Sequence, residues 1–128
     1  MTFQEIISNV QMETESGSEP RLKPEDWLRW AFDGATEAFL LDGACRIQAD
    51  MTVLPVPFTV SPDADPEAVP NPYEIPLALQ PFRTGLEAYI RFRYHSTNPK
   101  NADEKAAASA AYQEFLRAFG VHAATPAA

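Results

Sequence analysis

The stretch "YIRFRYHSTNPKNADEKAAASAAYQEFLRAFG", residues 89–120, decides the fold. Its second half repeats apolar residues at helical spacing: Ala108, Ala111, Tyr112, Phe115 and Phe119. The same spacing leads into its first half through Ile75, Leu79, Phe82, Leu86, Tyr89 and Ile90, up to Tyr94. Between the two lies "HSTNPKN", where Pro99 cannot continue a helix and Asn98 is biased away from helical angles. The pattern predicts one helix over residues 76–96 and another over 102–119, joined by a polar turn. Pro76 suits a first helical turn, and Pro81 is either absorbed in the early turns or kinks the helix. Asn101 or Asp103 caps the second arm and Gly120 ends it, leaving residues 120–128 as a tail. The alanines of the second arm let it lie close to its neighbours while Tyr112, Phe115 and Phe119 anchor it.

Two more helices stand upstream. "KPEDWLRWAFDGATEAFLLDG" predicts a helix over 24–41, with Pro24 in its first turn, Glu25 and Asp26 at the positive end of its dipole, and Asp42-Gly43 as the stop. Leu28, Ala31, Ala35, Ala38 and Phe39 form its apolar stripe, flanked by Trp27, Phe32 and Leu41. Gly34 costs helix propensity there, and its place in the stripe points to a close backbone contact. Residues 3–12 carry Phe3, Ile6, Ile7 and Val10 on one face, with Thr2 and Glu5 spaced as a capping box.

Between the helix pairs the period changes. Residues 44–60 hold short β-branched pieces at Ile47, Val53, Val56 and Val60, with Arg46, Gln48 and Asp50 alternating. Pro55 and Pro57 confine any strand to an edge, so a small, irregular β element is expected. Residues 61–74 form a long proline-rich loop carrying Asp63, Asp65 and Glu67 without cationic neighbours. Such a loop is either a solvated surface segment or an extension that touches another subunit. The fold expected is mainly α: a four-helix bundle-like core, ordered helix, helix, small irregular β, helix, helix, in one domain spanning 1–128. The core list is Phe3, Ile6, Ile7, Val10, Leu28, Ala31, Ala35, Phe39, Phe82, Leu86, Tyr89, Ile90, Tyr112, Phe115 and Phe119.

Composition bounds the function. The 128 residues suffice for a single core. The net charge of −8 argues against wrapping nucleic acid by neutralising phosphates. It allows a negatively lined surface past which DNA slides. The charge is uneven: residues 1–70 carry −9 and residues 71–128 carry +1, so distinct electrostatic faces are expected. The one cysteine, Cys45, reads as a small buried apolar residue and permits no disulfide within the chain. No apolar run approaches the ~20 residues of a membrane span. "MTFQEIISNV" lacks the segments of a signal peptide, so a reducing cytosol, or an assembly built there, is the expected setting.

No catalytic constellation is visible. The five glycines are too scattered for a phosphate loop, and no nucleophile elbow is present. His95 and His122 flank the last helix without a carboxylate or cysteine partner at ligand spacing. No enzyme, metal or cofactor is expected. The turn between the last two helices is too long for a DNA-reading motif, and "ADEKAAASAA" offers almost no base-reading side chain. Arg83, Arg91 and Arg93 remain. They are either a solvated helix flank or a surface that docks an acidic face, such as that of an identical neighbour. Head-to-tail contacts of that kind, repeated, close into a ring.

"RLKPEDWLRWAFDGATEAFLL", the small β region, "IPLALQPFRTGLEAYIRFRYHST" and "ADEKAAASAAYQEFLRAFG" occur in an order that resembles the head–tail adaptor, or connector, proteins of tailed bacteriophages, particularly short-tailed ones. "LRWAFDGATEAFLL" is similar to the family's second-helix core, and "LEAYIRFRYHST" partly matches its third helix. Tyr112, Phe115 and Leu116 stand at the spacing of the alanine-rich last helix. The resemblance covers about Phe3 to Phe119 and rests on packing motifs. It implies a helical bundle without catalysis and a homomeric ring of about twelve copies under the portal protein. That ring, assembled in the host cytoplasm and resident in the virion neck, would extend the DNA channel and offer a platform to the tail nozzle or other neck proteins. It would touch passing DNA without reading sequence, and would need no membrane. It also gives the C-terminal end, with Phe119, Val121 and His122, a portal contact. The alternative is a cytoplasmic, non-enzymatic helical interaction module.

Overall fold

The computed structural model describes residues 1–14, 23–61, 63–97 and 101–120. Among these residues four α-helices form the body: α1 (Phe3–Thr14), α2 (Pro24–Leu41), α3 (Arg83–His95) and α4 (Ala102–Ala118). No strand occurs among the described residues. The protein is a mainly α helical bundle, and it is an uneven one. α3 is the hub, packed on α1, α2 and α4, while α4 lies chiefly on α3 alone.

Local chemistry sets the helix ends. The Thr2 hydroxyl accepts from the Glu5 N–H at 3.2 Å and opens α1. Nothing in "QMET" stops that helix at residue 12, so it runs on to Thr14. α2 starts at Pro24, whose missing N–H is unneeded in a first turn. The Asp26 carboxylate reaches back to the Lys23 N–H at 3.3 Å. α2 ends where expected, and Asp42 serves two elements there. Its N–H donates to the Ala38 carbonyl, and its carboxylate accepts from the Ala44 N–H at 3.2 Å. Asn101 is the cap of α4, accepting from the Asp103 and Glu104 N–H groups at 2.9 and 3.2 Å. Gly120, at φ +80°, takes the left-handed conformation past the end of α4.

Two expectations are corrected. The helix expected over 76–96 is two pieces: a 3-10 helix, Leu77–Phe82, followed by α3. Pro81 explains the division, because an α-helix through it would lose a hydrogen bond and collide with the carbonyl four residues back. The β element expected over 44–60 is a 3-10 turn, Gly43–Arg46, followed by a loop with a single bridge between Ile47 and Val53. The Gln48 N–H donates to the Thr52 carbonyl and the Leu54 N–H to the Arg46 carbonyl, each at 2.8 Å, and pairing goes no further.

The core joins all four helices and the 3-10 helix, with α4 entering it through Phe115. Phe3, Ile6, Val10, Ala35, Ala38, Leu79, Ala88, Ile90 and Phe115 are fully buried. Of the expected core residues, Leu28, Phe82, Tyr112 and Phe119 are partly buried and pack against it. α2 is rotated from the expected stripe, so Trp27 and Trp30 are buried and Leu28 lies at the margin. Tyr94 stacks on Trp27 with centroids 5.5 Å apart. Gly34 is the close approach of α2 to α3, since a Cβ there would stand 3.0 Å from Tyr89 Cδ1.

Candidate interaction face

The segment between α2 and α3 forms a layer of loops held down at a few buried points. Phe58 is the first. Its ring lies among Phe3, Phe32 and Phe39, with centroids 5.5 to 6.0 Å away. Its N–H donates to the Thr36 hydroxyl at 2.8 Å, and that hydroxyl donates to the Phe32 carbonyl at 3.1 Å. Tyr73 and Ile75 are the second point. The Phe3 N–H donates to the Tyr73 carbonyl, and the Ile75 N–H to the Met1 carbonyl, both at 2.9 Å. A lone bridge, Thr2 to Glu74, joins the same segments.

Between these points the loops stay at the surface. The Asp65 carboxylate accepts from the Glu67 N–H at 2.9 Å, and Asn71 does the same for Tyr73. Asp50 closes its own turn, taking the Thr52 hydroxyl at 2.6 Å and the Thr52 N–H at 3.0 Å. Those bonds, the hydroxyl's first, hold the Asp50 carboxyl below its ordinary range. Arg46 is turned inward, its Nε–H donating to the Leu54 carbonyl at 2.9 Å.

Large apolar side chains stand in solvent on this layer: Ile47, Met51, Val53, Val56, Val69 and Leu77. Val69 is 98% exposed and Met51 76%. Two of them, Ile47 and Leu77, border a cleft of ≈660 Å³ whose walls also include Cys45, Leu54, Phe58, Pro70, Pro72 and Ala78. Its polar groups are already engaged. The Glu74 carboxylate holds the Met1 amino group, and Gln80 Nε2 donates to the Ile75 carbonyl at 3.1 Å. Burial pushes the Cys45 thiol up to about 11, helped by the nearby Asp42 carboxylate, so it stays protonated at neutral pH. Among the described residues, no group of three or more His, Cys, Asp or Glu is placed to hold a metal. The cleft offers shape and apolar surface rather than an acid, a base or a nucleophile.

The three arginines have partners within the chain. Arg91 grips Glu13 at the end of α1 with two bonds, 2.7 and 3.1 Å. Arg93 reaches the other way, to Asp33 of α2 at 2.8 Å and to the Tyr89 hydroxyl at 3.2 Å. Burial works against the Arg93 charge, and the Tyr89 and Asp33 contacts more than offset it. Arg83 stands 3.9 Å from Glu87 and is half exposed. Asp63, Asp65 and Glu67 are exposed, and none of the ion pairs among the described residues involves them. The structure therefore does not bring the acidic loop and the arginines together in one copy. His95, expected to stand alone, has a carboxylate neighbour: its Nδ1 lies 2.5 Å from Glu104 Oε2, which ties the end of α3 to the first turn of α4. Phe119 stacks on Phe82 with centroids 4.6 Å apart. Val121 and His122 lie outside the described residues.

Comparison of the chain with protein-family models, with curated proteins and with solved structures gives no match. No helix among the described residues is long and apolar enough to cross a membrane.

The sequence reading missed the apolar fringe. Its signal was present: Ile47, Val53 and Val56 carry β-branched side chains, yet the prolines around them deny a sheet that would cover them.

Proposed function

We propose that this chain is a non-catalytic structural subunit, a head-to-tail adaptor that forms a homomeric ring below the portal of a tailed phage and receives tail components. The exposed apolar fringe carries this reading. Six large apolar side chains of the segment between α2 and α3, which is pinned at Phe58, Tyr73 and Ile75, stand in solvent, an exposure suited to another protein rather than to water. The charge supports it as well. The unpaired acids Asp63, Asp65 and Glu67 give one copy an acidic loop, and the half-exposed Arg83 gives the next copy a cation to meet it. Acids left over would line the channel and keep DNA moving.

The test is sedimentation velocity on the chain alone and with portal protein. A ring, on its own or on the portal, is the expected result. Replacing Val53 and Val69 by Asp should abolish the ring and leave the melting temperature unchanged, since both side chains are exposed. A chain that remains monomeric with portal present would sink the proposal.

The cleft favours a second reading, a cytoplasmic helical module that binds one apolar segment of a single partner. That module would sediment as a one-to-one complex, with no ring under either condition.

A further inference from the structure

The segment that builds the cleft is strongly acidic. Residues 42–76 hold six acids, Asp42, Asp50, Asp63, Asp65, Glu67 and Glu74, against one base, Arg46, a balance of −5. Three of the acids stand at the cleft itself. Glu74 lines it. Asp42 lies beside the wall residue Cys45, and the exposed Asp50 follows the wall residue Ala49. Glu74 is held by the Met1 amino group, but no ion pair among the described residues involves Asp42 or Asp50. No lysine or arginine is among the residues that line the cleft.

The walls between these acids are apolar and poor in donors. Pro70, Pro72 and Pro76 each bring a carbonyl and no N–H, and Gln80 Nε2 already donates to the Ile75 carbonyl. The complement of such a site is a segment that is apolar where it enters and cationic where it leaves. The chain offers no such segment of its own among the described residues. Outside the layer between α2 and α3, its large apolar side chains in solvent are Met12 and Leu40. The charges within three positions of them are acidic, Glu13 and Glu15 for the first, Glu37 and Asp42 for the second.

We infer that the cleft docks a segment of a different protein in which large apolar side chains alternate with lysine or arginine. The apolar side chains fill the cleft, and their burial supplies the hold. The cations meet Asp42 and Asp50 at its margin, which speeds encounter and turns acidic segments away. This docking site rests on the second reading above and specifies its partner by charge. Val53 and Val69, assigned above to contacts between copies, do not line the cleft.

The test uses the full chain and three synthetic peptides: alternating Lys and Leu, alternating Glu and Leu, and alternating Lys and Ser. Fluorescence anisotropy gives the affinities, and methyl signals of Ile47, Leu54 and Leu77 locate the site. The Lys–Leu peptide should bind and shift those methyls, at least about tenfold tighter than the Glu–Leu peptide at low salt. Added salt should narrow that gap. Leu77→Ser and Asp50→Asn, both at exposed positions, should each weaken the Lys–Leu peptide while the melting temperature holds. Equal binding of the Lys–Leu and Glu–Leu peptides would overturn the charge assignment and leave an apolar docking cleft. Binding of neither would sink the cleft reading with it. A Lys–Ser peptide as tight as Lys–Leu would reduce the effect to unspecific attraction. Self-association of the chain that Leu77→Ser abolishes would assign the cleft to a second copy instead.

Discussion

A Cβ placed on Gly85 would lie 2.7 Å from the Cβ of Ala118. No real pair of side chains sits that close, and Ala118 has no rotamer with which to retreat. Gly85→Ala should therefore push α3 and α4 apart. The overpacking cost is about 1–3 kcal/mol, against a helix-propensity gain of at most about 1 kcal/mol. The expected net is a loss of stability in urea titration. Adding Ala118→Gly to the same chain should recover most of the overpacking loss. Gly85→Ala at wild-type stability would show that the close approach is dispensable.

The Arg91–Glu13 pair should show in the pH dependence of stability. The Arg91 guanidinium holds the Glu13 carboxyl below its ordinary range. A depressed carboxyl stabilises the fold above the unfolded-state pKa, and the contribution fades as pH falls through the folded value. Glu13→Gln should thus cost stability at neutral pH and cost nothing once both forms are protonated. Half the Glu13 side chain is in water, so the neutral-pH cost should stay within about 1 kcal/mol. Melts of both proteins from pH 7 down to acid would check the convergence.

Phe58 holds the loop layer to the helices. Phe58→Ala should cost about 3–5 kcal/mol, as for other buried aromatics. Thr36→Val is the subtler probe. It keeps the volume but leaves the Phe58 N–H without its acceptor, at a cost of about 1–3 kcal/mol. Hydrogen exchange should quicken at Phe58 in that variant while α1 amides keep their relative protection.

Cys45 should react with a disulfide reagent far more slowly in the folded chain than in urea. Burial and the Asp42 carboxylate together disfavour the thiolate. Equal rates at pH 8 in both states would contradict the packing around Cys45.

What the sequence revealed was local. α2 was legible because Pro24 and Asp42 act within their own turns. The α3–α4 hairpin was legible because its apolar residues repeat every three or four positions. The 3-10 helix before α3 was hidden because periodicity runs through Pro81 undisturbed, while the missing N–H does not. The rotation of α2 was hidden for another reason. Trp27 is buried by Tyr94, a residue far along the chain, and no window around Trp27 contains that information. The same distance concealed the ion pairs. Glu13 meets Arg91 across 78 positions, and Asp33 meets Arg93 across 60. His95–Glu104 was within reach, since a hairpin brings its two inner ends together. The apolar fringe was missed because β-branched residues were given a sheet that the prolines around them prevent.

α4 rests chiefly on a single neighbour. Its aromatic anchors Tyr112, Phe115 and Phe119 meet Phe92 and Tyr89 of α3 and Phe82 just before it. It still reaches the common interior through Phe115, which is fully buried there. Its departure would uncover the rings of Tyr89 and Phe92 on α3 and vacate the place of Phe115 in the core. α4, packed chiefly on α3, is the piece that two copies could exchange with least disturbance to the rest, provided each accepts the other's Phe115 into its core.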